Sequence, residues 1–312
     1  MDVIHYPDDP CPSHWRQPVL ALGNFDGMHR GHMKIIERVR RGAEERGASG
    51  VAMTFDPHAS RVVRPDRAPP LLMTKSQKLE ALARAGIHGV AVVRFTPALS
   101  QWDPETFVRS VLIEWLHVAE VWVGANFLFG RDRSGNFSTL RSLGARYGFR
   151  AEKIDPVRYR DFVVSSTRVR RLVSEGRVDE AGALLGHHYV IDGVVSHGHH
   201  RGRTLGFPTA NLSTENELIP PNGVYATTAA LDSVVYSSIT SIGVRPTFGD
   251  DAQRVIETHL LEFNRELYGA RLRLGFVQRL RDEKHFESVD ALMAQIDVDR
   301  ARARSLFDRM SL

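Results

Sequence analysis

Ten consecutive residues, Gly23-Asn-Phe-Asp-Gly-Met-His-Arg-Gly-His32, concentrate the residue types that hold anions. They follow the apolar run Pro18-Val-Leu-Ala-Leu22 and open an amphipathic stretch from Gly31 to Gly47, so the sequence predicts a strand, a glycine turn and a helix N-terminus in succession. The first turn of a helix leaves backbone N–H groups unpaired and carries partial positive charge, and Gly23 and Gly27 let the backbone approach a ligand closely. His29 and His32 share a helix face and can donate ring N–H groups to a nucleotide's phosphates. Two readings compete: a metal held by the His-x-x-His pair, for which no third ligand with motif spacing is visible nearby, and a glycine turn that holds nothing.

Three further constellations carry chemistry. Val164-Ser-Ser-Thr-Arg-Val-Arg170 puts the hydroxyls of Ser165, Ser166 and Thr167 at a helix start with Arg168 and Arg170 in its first turns. That suits a second portion of a polyphosphate, or simply a capped basic helix. Gly124-Ala-Asn-Phe-Leu-Phe-Gly-Arg-Asp-Arg133 is a turn after an apolar strand that offers Asn126 and the basic pair Arg131 and Arg133 to a base or a flavin, or is only a loop. His197-Gly-His-His-Arg-Gly-Arg-Thr-Leu-Gly-Phe-Pro-Thr-Ala-Asn211 reads as a flap: Gly198, Gly202 and Gly206 give flexibility, Arg201 and Arg203 give charge, and Thr209 and Asn211 offer the oxygen ligands that a hydrated magnesium ion accepts. Its glycines leave His197, His199 and His200 no rigid ligand geometry, so a solvated loop is favoured there over a transition-metal site. Glu257 and His259 fall on one face of a strand and Thr258 on the other, and Glu257 becomes a candidate base if the flap folds over the same mouth.

The elements that must position these residues change character once. Up to about Phe149, short β-rich runs (51–55, 89–95, 120–124, 149–154) alternate with helical stretches such as 75–85 and 104–116, which implies a parallel sheet with crossover helices. Helices are expected over 167–175 and 178–185, the second capped by Gly186. Beyond it, runs at 189–196, 223–231, 234–243, 255–263 and 270–280 suggest a small antiparallel barrel, closed by a helix over 288–310 with Asp297 as a candidate break. This places a domain boundary near Gly186, giving domains 1–186 and 187–312.

Composition bounds the partners. A 312-residue chain with 42% hydrophobic and 25% charged residues is ordinary for a globular protein of two domains. A formal charge of +4 favours anionic ligands but is too dilute to imply nucleic-acid binding. The single Cys11, no run long enough to span a membrane and no leader at Met1-Asp-Val-Ile-His-Tyr-Pro7 lead us to expect a cytoplasmic protein with no membrane or nucleic-acid partner.

The ordered set of motifs closely resembles the bacterial bifunctional riboflavin kinase/FAD synthetase family over nearly the whole chain. It comprises Gly23–His32, Thr54-Phe-Asp-Pro-His58, Ser165–Arg170, Arg201–Asn211, Gly223-Val-Tyr-Ala226, Gly243-Val-Arg-Pro-Thr-Phe248 and Glu257-Thr-His-Leu-Leu261. The resemblance implies an α/β Rossmann-like nucleotidyltransferase domain followed by a six-stranded antiparallel flavokinase β-barrel with a C-terminal helix. It implies two reactions, riboflavin plus ATP to FMN and FMN plus ATP to FAD and pyrophosphate, with magnesium as cofactor and riboflavin, FMN and ATP as small-molecule partners. By resemblance His29 and His32 contact ATP phosphates, and Gly23, Asn24, Phe25, Asp26, Gly27, His58, Asn126 and Arg131 help hold nucleotide or flavin with the Ser165–Arg170 cluster. The same resemblance makes Glu257 the expected base of the kinase half. It also implies that Thr209 and Asn211 carry magnesium beneath a flap of Gly198, Arg201, Gly202, Arg203, Thr204, Gly206 and Pro208, with Arg281, Glu283 and Phe286 on the flavin side. Ala59 stands where the family often has proline, and Asn126 where many members have aspartate, and neither change removes a needed group. The competing functions are a single-activity enzyme, a nucleotidyltransferase for another substrate and a flavin-binding regulator without turnover.

Overall fold

The computed structural model describes residues 1–196, 207–245 and 253–310, in two compact units: Met1–Pro70 with Thr74–Ser166, and Leu71–Met73 with Thr167–Leu312. The first unit is built on a parallel sheet of β1 (Asp2–Tyr6), β2 (Val19–Leu22), β3 (Gly50–Asp56), β4 (Gly89–Arg94), β5 (Glu120–Val123) and, after a ribbon of β6 (Leu128–Phe129) and β7 (Gly135–Asn136), β8 (Arg150–Lys153). Its order is β1-β4-β3-β2-β5-β8, with every neighbouring pair parallel. All four residues of β2 are buried, as are the first five of β3 and of β4. Unbroken apolar runs of this kind belong to strands covered on both faces. A hairpin of β9 (Arg158–Tyr159) and β10 (Phe162–Val163) follows.

Helix α1 (Arg30–Glu44) buries Ile35, Ile36, Val39 and Ala43 against the sheet. Short α2 (Ala59–Val63) precedes α3 (Lys75–Arg84), whose N-terminus is a capping box in which Thr74 and Gln77 satisfy each other's backbone N–H. Turns at α4 (Pro97–Ser100) and α5 (Pro104–Phe107) lead into a helical segment Val108–Trp115, which buries Val108, Val111 and Leu112. Helix α6 (Phe137–Tyr147) is capped by Asn136 and stops at Gly148 in the left-handed conformation, φ 82°. Gly89 is required where it stands, because a Cβ there would collide with the indole of Trp15.

Helices α7 (Ser166–Ser174) and α8 (Val178–Leu185) follow, and Gly186 ends α8 at φ 87° as its position after the apolar run predicts. In the second unit β11 (Tyr189–Ser196), β12 (Ala210–Thr214), β13 (Gly223–Leu231), β14 (Val234–Arg245), β15 (Gln253–Leu260) and β16 (Arg271–Arg281) close a barrel in the order β11-β12-β15-β14-β13-β16, antiparallel throughout. Alternation sorts its residues. Tyr225, Phe276 and Leu274 fill the interior, while Ala226, Ile239 and Val277 face outward to meet Ala303, Leu306 and Phe307 of helix α9 (Val289–Met310).

Two expectations change. The strand Ala210–Thr214, which the sequence does not mark, begins in the last two residues of what reads as flap, and α9 runs through Asp297 without a break. The helix continues because Asp299 is buried there, accepting hydrogen bonds from Arg281 of β16 and from Gln295 one turn earlier.

The barrel interior also holds a chain of hydroxyls. Thr227 Oγ1 meets Ser238 Oγ at 2.8 Å and Thr240 Oγ1 at 2.7 Å, and Thr240 donates to Thr258 Oγ1 at 3.0 Å, all four residues being fully buried. Removing Thr240 Oγ1 takes one hydrogen bond from each of two buried partners, Thr227 and Thr258. Thr240→Val should therefore lower the unfolding free energy of the barrel by about 1–3 kcal/mol in chemical denaturation, with Thr240→Ser losing less.

Candidate active sites

At the carboxyl edge of the parallel sheet the three adjacent strands β3, β2 and β5 are followed by Pro57-His58, Gly23–His29 and Gly124–Asn126. Open α/β sheets bind ligands at this edge. The middle segment is the most constrained: Gly23 N–H donates to the Met53 carbonyl at 3.1 Å, and Phe25, Gly27 and Met28 all take positive φ (49°, 89° and 42°). Phe25 is fully buried beneath this turn.

The turn delivers His29 as the N-cap of α1, where its Nδ1 accepts the His32 backbone N–H at 3.2 Å. In the neutral ring this acceptor role puts the proton on Nε2, so the side chain that caps the helix also presents a donor. The His32 ring stacks on that of His29, centroids 3.6 Å apart and planes 13° from parallel, and meets the edge of Phe25. A Cβ at Gly31 would lie 3.1 Å from His29 Cε1, so the glycine makes room for the folded-over ring.

Two side-chain bonds tie the neighbouring motifs to this turn. Thr54 donates its hydroxyl to the Asn24 carbonyl at 3.1 Å, and Ser166 donates to the Asp26 carbonyl at 2.8 Å. His58 is the N-cap of α2, its Nδ1 accepting from Ser60 N, and Asn126 and Arg131 are exposed in the loop after β5. Ser165 is half-buried beside Ser166. Thr167, Arg168 and Arg170 continue along α7, within the second unit, whose buried face is Val169, Leu172 and Val173. Lys78, a residue outside every motif, donates its Nζ to Thr54 Oγ1 at 3.2 Å.

In the second unit a cavity of about 550 Å³ lies on the outer face of the barrel, lined by Pro208, Thr209, Asn211, Ser241, Glu257, Arg281 and Glu283 together with Leu292, Ile296 and Arg300 of α9. The register explains the grouping. Asn211 on β12 and Ser241 on β14 both pair with Glu257 on β15, so the three side chains form a row across one sheet face. The alternation of β15 points Thr258 into the interior and Glu257 and His259 outward.

His259 Nδ1 donates to the Pro208 carbonyl at 2.9 Å and its ring meets Phe207, over which the Arg300 guanidinium lies 5.3 Å from the ring centre. Burial, and secondarily the charge of Arg300, push the His259 pKa down against the opposing backbone hydrogen bond. The ring is therefore held neutral with its proton on Nδ1. Phe207 and His259 stand in the Arg201–Asn211 and Glu257–Leu261 motifs, whereas Arg300 lies outside every motif.

Arg281 reaches the cavity, but its guanidinium makes a buried two-pronged pair with Asp299 and lies 5.7 Å from the Phe286 ring, so it locks α9 to β16. Phe286 is outside the cavity lining, and Glu283 accepts from Asn222 at 3.2 Å. Gly198, Arg201, Gly202, Arg203, Thr204 and Gly206 of the flap, with His197, His199 and His200, lie outside the described residues, as do Pro246, Thr247 and Phe248. Among the described residues no cluster of three histidine, cysteine or carboxylate side chains is arranged to hold a metal, and no helix is long and apolar enough to cross a membrane.

Known proteins place these two sites in a family. Residues 11–168 match the family described as FAD synthetase, and residues 185–307 match riboflavin kinase. Proteins named bifunctional riboflavin kinase/FMN adenylyltransferase are 37% identical in Listeria monocytogenes (94% of this chain, 93% of that one) and 34% identical in Bacillus subtilis (99% of each). The Escherichia coli protein of that name is 35% identical over 93% of this chain and 92% of its own. A crystal structure described as a macrolide-efflux protein from Streptococcus pneumoniae superposes with a TM-score of 0.88 at 27% identity, covering 97% of this chain and 99% of that one. With both catalytic modules matched in order along one chain, the protein belongs to the bifunctional riboflavin kinase/FMN adenylyltransferase family, which phosphorylates riboflavin to FMN and adenylylates FMN to FAD.

Proposed function

We propose that the two reactions divide between two sites of opposite character: a donor-lined helix N-terminus at Gly23–His32 for adenylyl transfer, and the Glu257 cavity for riboflavin phosphorylation. The observation that carries this reading is the contrast between His29, whose Nδ1 is already used as an acceptor, and Glu257, which stands between Asn211 and Ser241 on one sheet face.

In adenylyl transfer an FMN phosphate oxygen attacks the α-phosphorus of ATP and pyrophosphate leaves. The nucleophile is largely ionised near neutral pH, its second pKa being about 6, so no protein base is needed. The work is alignment and stabilisation of the charge that builds on the leaving group. His29 through Nε2–H, His32, the first-turn N–H groups of α1 and the hydroxyl of Ser165 supply donors, while Ser166 fixes the turn through Asp26. Gly23, Asn24, Phe25, Asp26 and Gly27 shape the nucleotide-facing backbone, His58, Asn126 and Arg131 border it, and the resemblance assigns Thr167, Arg168 and Arg170 to phosphate binding.

Phosphorylation of riboflavin starts from a neutral ribityl hydroxyl that becomes acidic as it attacks, and Glu257 takes that proton. The donor set beside it is all oxygen, the Thr209 hydroxyl, the Asn211 carboxamide and the Glu257 carboxylate, which fits a hard divalent cation. Thr209 and Asn211 would hold magnesium, which when bound neutralises phosphate charge on ATP. By resemblance, Gly198, Arg201, Gly202, Arg203, Thr204, Gly206 and Pro208 are assigned to ATP binding, and Arg281, Glu283 and Phe286 to the flavin side. We place the functional boundary near Gly186, a placement supported by the start of the riboflavin kinase match at residue 185. The use of ATP and the lone Cys11 support a cytoplasmic location.

Chromatography of flavins formed from riboflavin, ATP and magnesium should show FMN rising before FAD. His32→Ala should slow FAD formation by about 10²–10³-fold while FMN accumulates. Glu257→Gln should slow FMN formation by about 10²–10⁴-fold while added FMN is still converted to FAD. A His32→Ala protein that makes FAD at the normal rate would remove the first site. Asn211→Ala should raise the magnesium concentration needed for half-maximal FMN formation and leave that for FAD formation unchanged.

A further inference from the structure

Lys78 reaches the carboxyl edge of the sheet from α3, and no reading of the motifs marks it. Strands β2, β3 and β4 are successive neighbours, and the right-handed crossovers through α1 and α3 run the same way across the sheet, which sets both helices on one face. A Cβ at Gly86, just past α3, would lie 3.3 Å from Arg40 Cδ of α1. Both helices therefore begin at the carboxyl edge of the sheet, α1 after β2 and α3 after the neighbouring strand β3, so that Lys78, in the first turns of α3, is offset sideways from the N-terminus of α1.

The Lys78 ammonium is anchored there. It donates to Thr54 Oγ1 at 3.2 Å, and that hydroxyl donates onward to the Asn24 carbonyl at 3.1 Å, so the lysine and the phosphate-holding turn share one hydrogen-bonded chain. Thr54 is buried, and one ammonium donor is enough to reach it, which leaves two for a ligand. The charged groups facing Lys78 are the carboxylates of Asp26 and Asp56, which favour its charged form, and Lys75, which opposes it. Burial outweighs these and pushes its pKa below the ordinary lysine value. Asp56 is already paired with Lys75 at 2.8 Å.

In-line displacement puts the entering and leaving oxygens on opposite sides of the transferred phosphorus. If the leaving pyrophosphate sits on the N-terminus of α1, the entering phosphate needs a cation displaced sideways from that helix, and Lys78 is displaced in that way. We propose that Lys78 binds the phosphate of FMN in the adenylyltransferase reaction, an assignment that rests on Gly23–His32 being the adenylyltransferase site. The anchor to Thr54 orders the side chain before the substrate arrives, so little freedom is lost on binding.

Steady-state kinetics on the full chain, with FMN and ATP varied separately, test this. Lys78→Met should raise the KM for FMN about tenfold or more, the loss expected for one charge-assisted hydrogen bond, with the KM for ATP and the riboflavin kinase rate within about twofold of the unaltered protein. Lys78→Arg should restore most of the FMN affinity and should also move the alkaline limit of kcat/KM for FMN upward, because a guanidinium keeps its charge where a buried ammonium loses it. An unchanged KM for FMN in Lys78→Met, or a rise in the KM for ATP instead, overturns the proposal. Should Lys78→Met fail to fold, an alkaline limit in Lys78→Arg equal to that of the unaltered protein overturns it. His32→Ala assayed in parallel separates the two readings: loss of FAD synthesis there, with an unchanged KM for FMN in Lys78→Met, keeps the site and removes Lys78 from it.

Discussion

The hydrogen bond from the His32 backbone to His29 Nδ1 is the contact on which the proposed adenylyltransferase site depends. It starts α1, sets which ring nitrogen of His29 carries the proton and brings the two imidazoles into a stack at 3.6 Å. A serine or aspartate would cap the helix equally well, but aspartate would bring negative charge to an anion site, and the O–H of a short serine side chain would not reach as far as the imidazole Nε2–H. Histidine caps with one nitrogen and donates with the other. The geometry needs a chain that turns sharply enough to enter the helix this way, hence the three positive φ values between Phe25 and Met28 and the buried Phe25 ring that holds the turn in place. Strain of this kind survives only where surrounding contacts over-determine the backbone, and the bonds from Thr54 and Ser166 to Asn24 and Asp26 provide them.

The barrel solves a different problem with a different layout. Its site is on the outer surface of the sheet, because the interior is occupied by aromatic side chains and by the Thr227, Ser238, Thr240 and Thr258 hydroxyls. Inward Thr258 and outward Glu257 are consecutive. The hydrogen-bonded ladder that fixes the first thus limits where the second can lie, and the pairing of Glu257 with both Asn211 and Ser241 fixes it from either side. Helix α9 supplies the opposite wall, and its attachment through Asp299 and Arg281 makes the cavity depth a property of one buried ion pair. Such pairs add little net stability but are costly to break singly, which suits a contact that sets position.

Much of this was legible from residue order. The motifs at 23–32, 54–58 and 165–170 carry their chemistry in adjacent residues, and strands covered on both faces announce themselves as apolar runs. Gly186 after Leu185 marked a helix end that the structure keeps. The strand Ala210–Thr214 was hidden because Ala-Asn-Leu-Ser-Thr is short, half polar and preceded by glycines, so its strand character comes from the two neighbours that pair with it. Nothing in sequence shows that Arg281, which lines the cavity, also pairs its guanidinium with Asp299, eighteen residues on. Asp297 looked like a break for the same reason: the polar residues of α9 are paid for by tertiary partners. Lys78 had no local signature whatever, since its meaning arises only where α3 meets Thr54.

Charge logic accounts for the division of labour. A phosphate that is already anionic needs donors around it and no base, and the turn at Gly23–His32 offers N–H groups and imidazole donors. A hydroxyl needs a base before it can attack, and the barrel offers Glu257 among oxygen ligands suited to a divalent cation. The two environments are hard to combine, because a carboxylate placed to deprotonate the hydroxyl would repel the phosphates that the other site must gather at close range. Separate folded units in one chain remove that conflict, with each electrostatic environment built by its own fold and FMN, the product of one, serving as the nucleophile of the other.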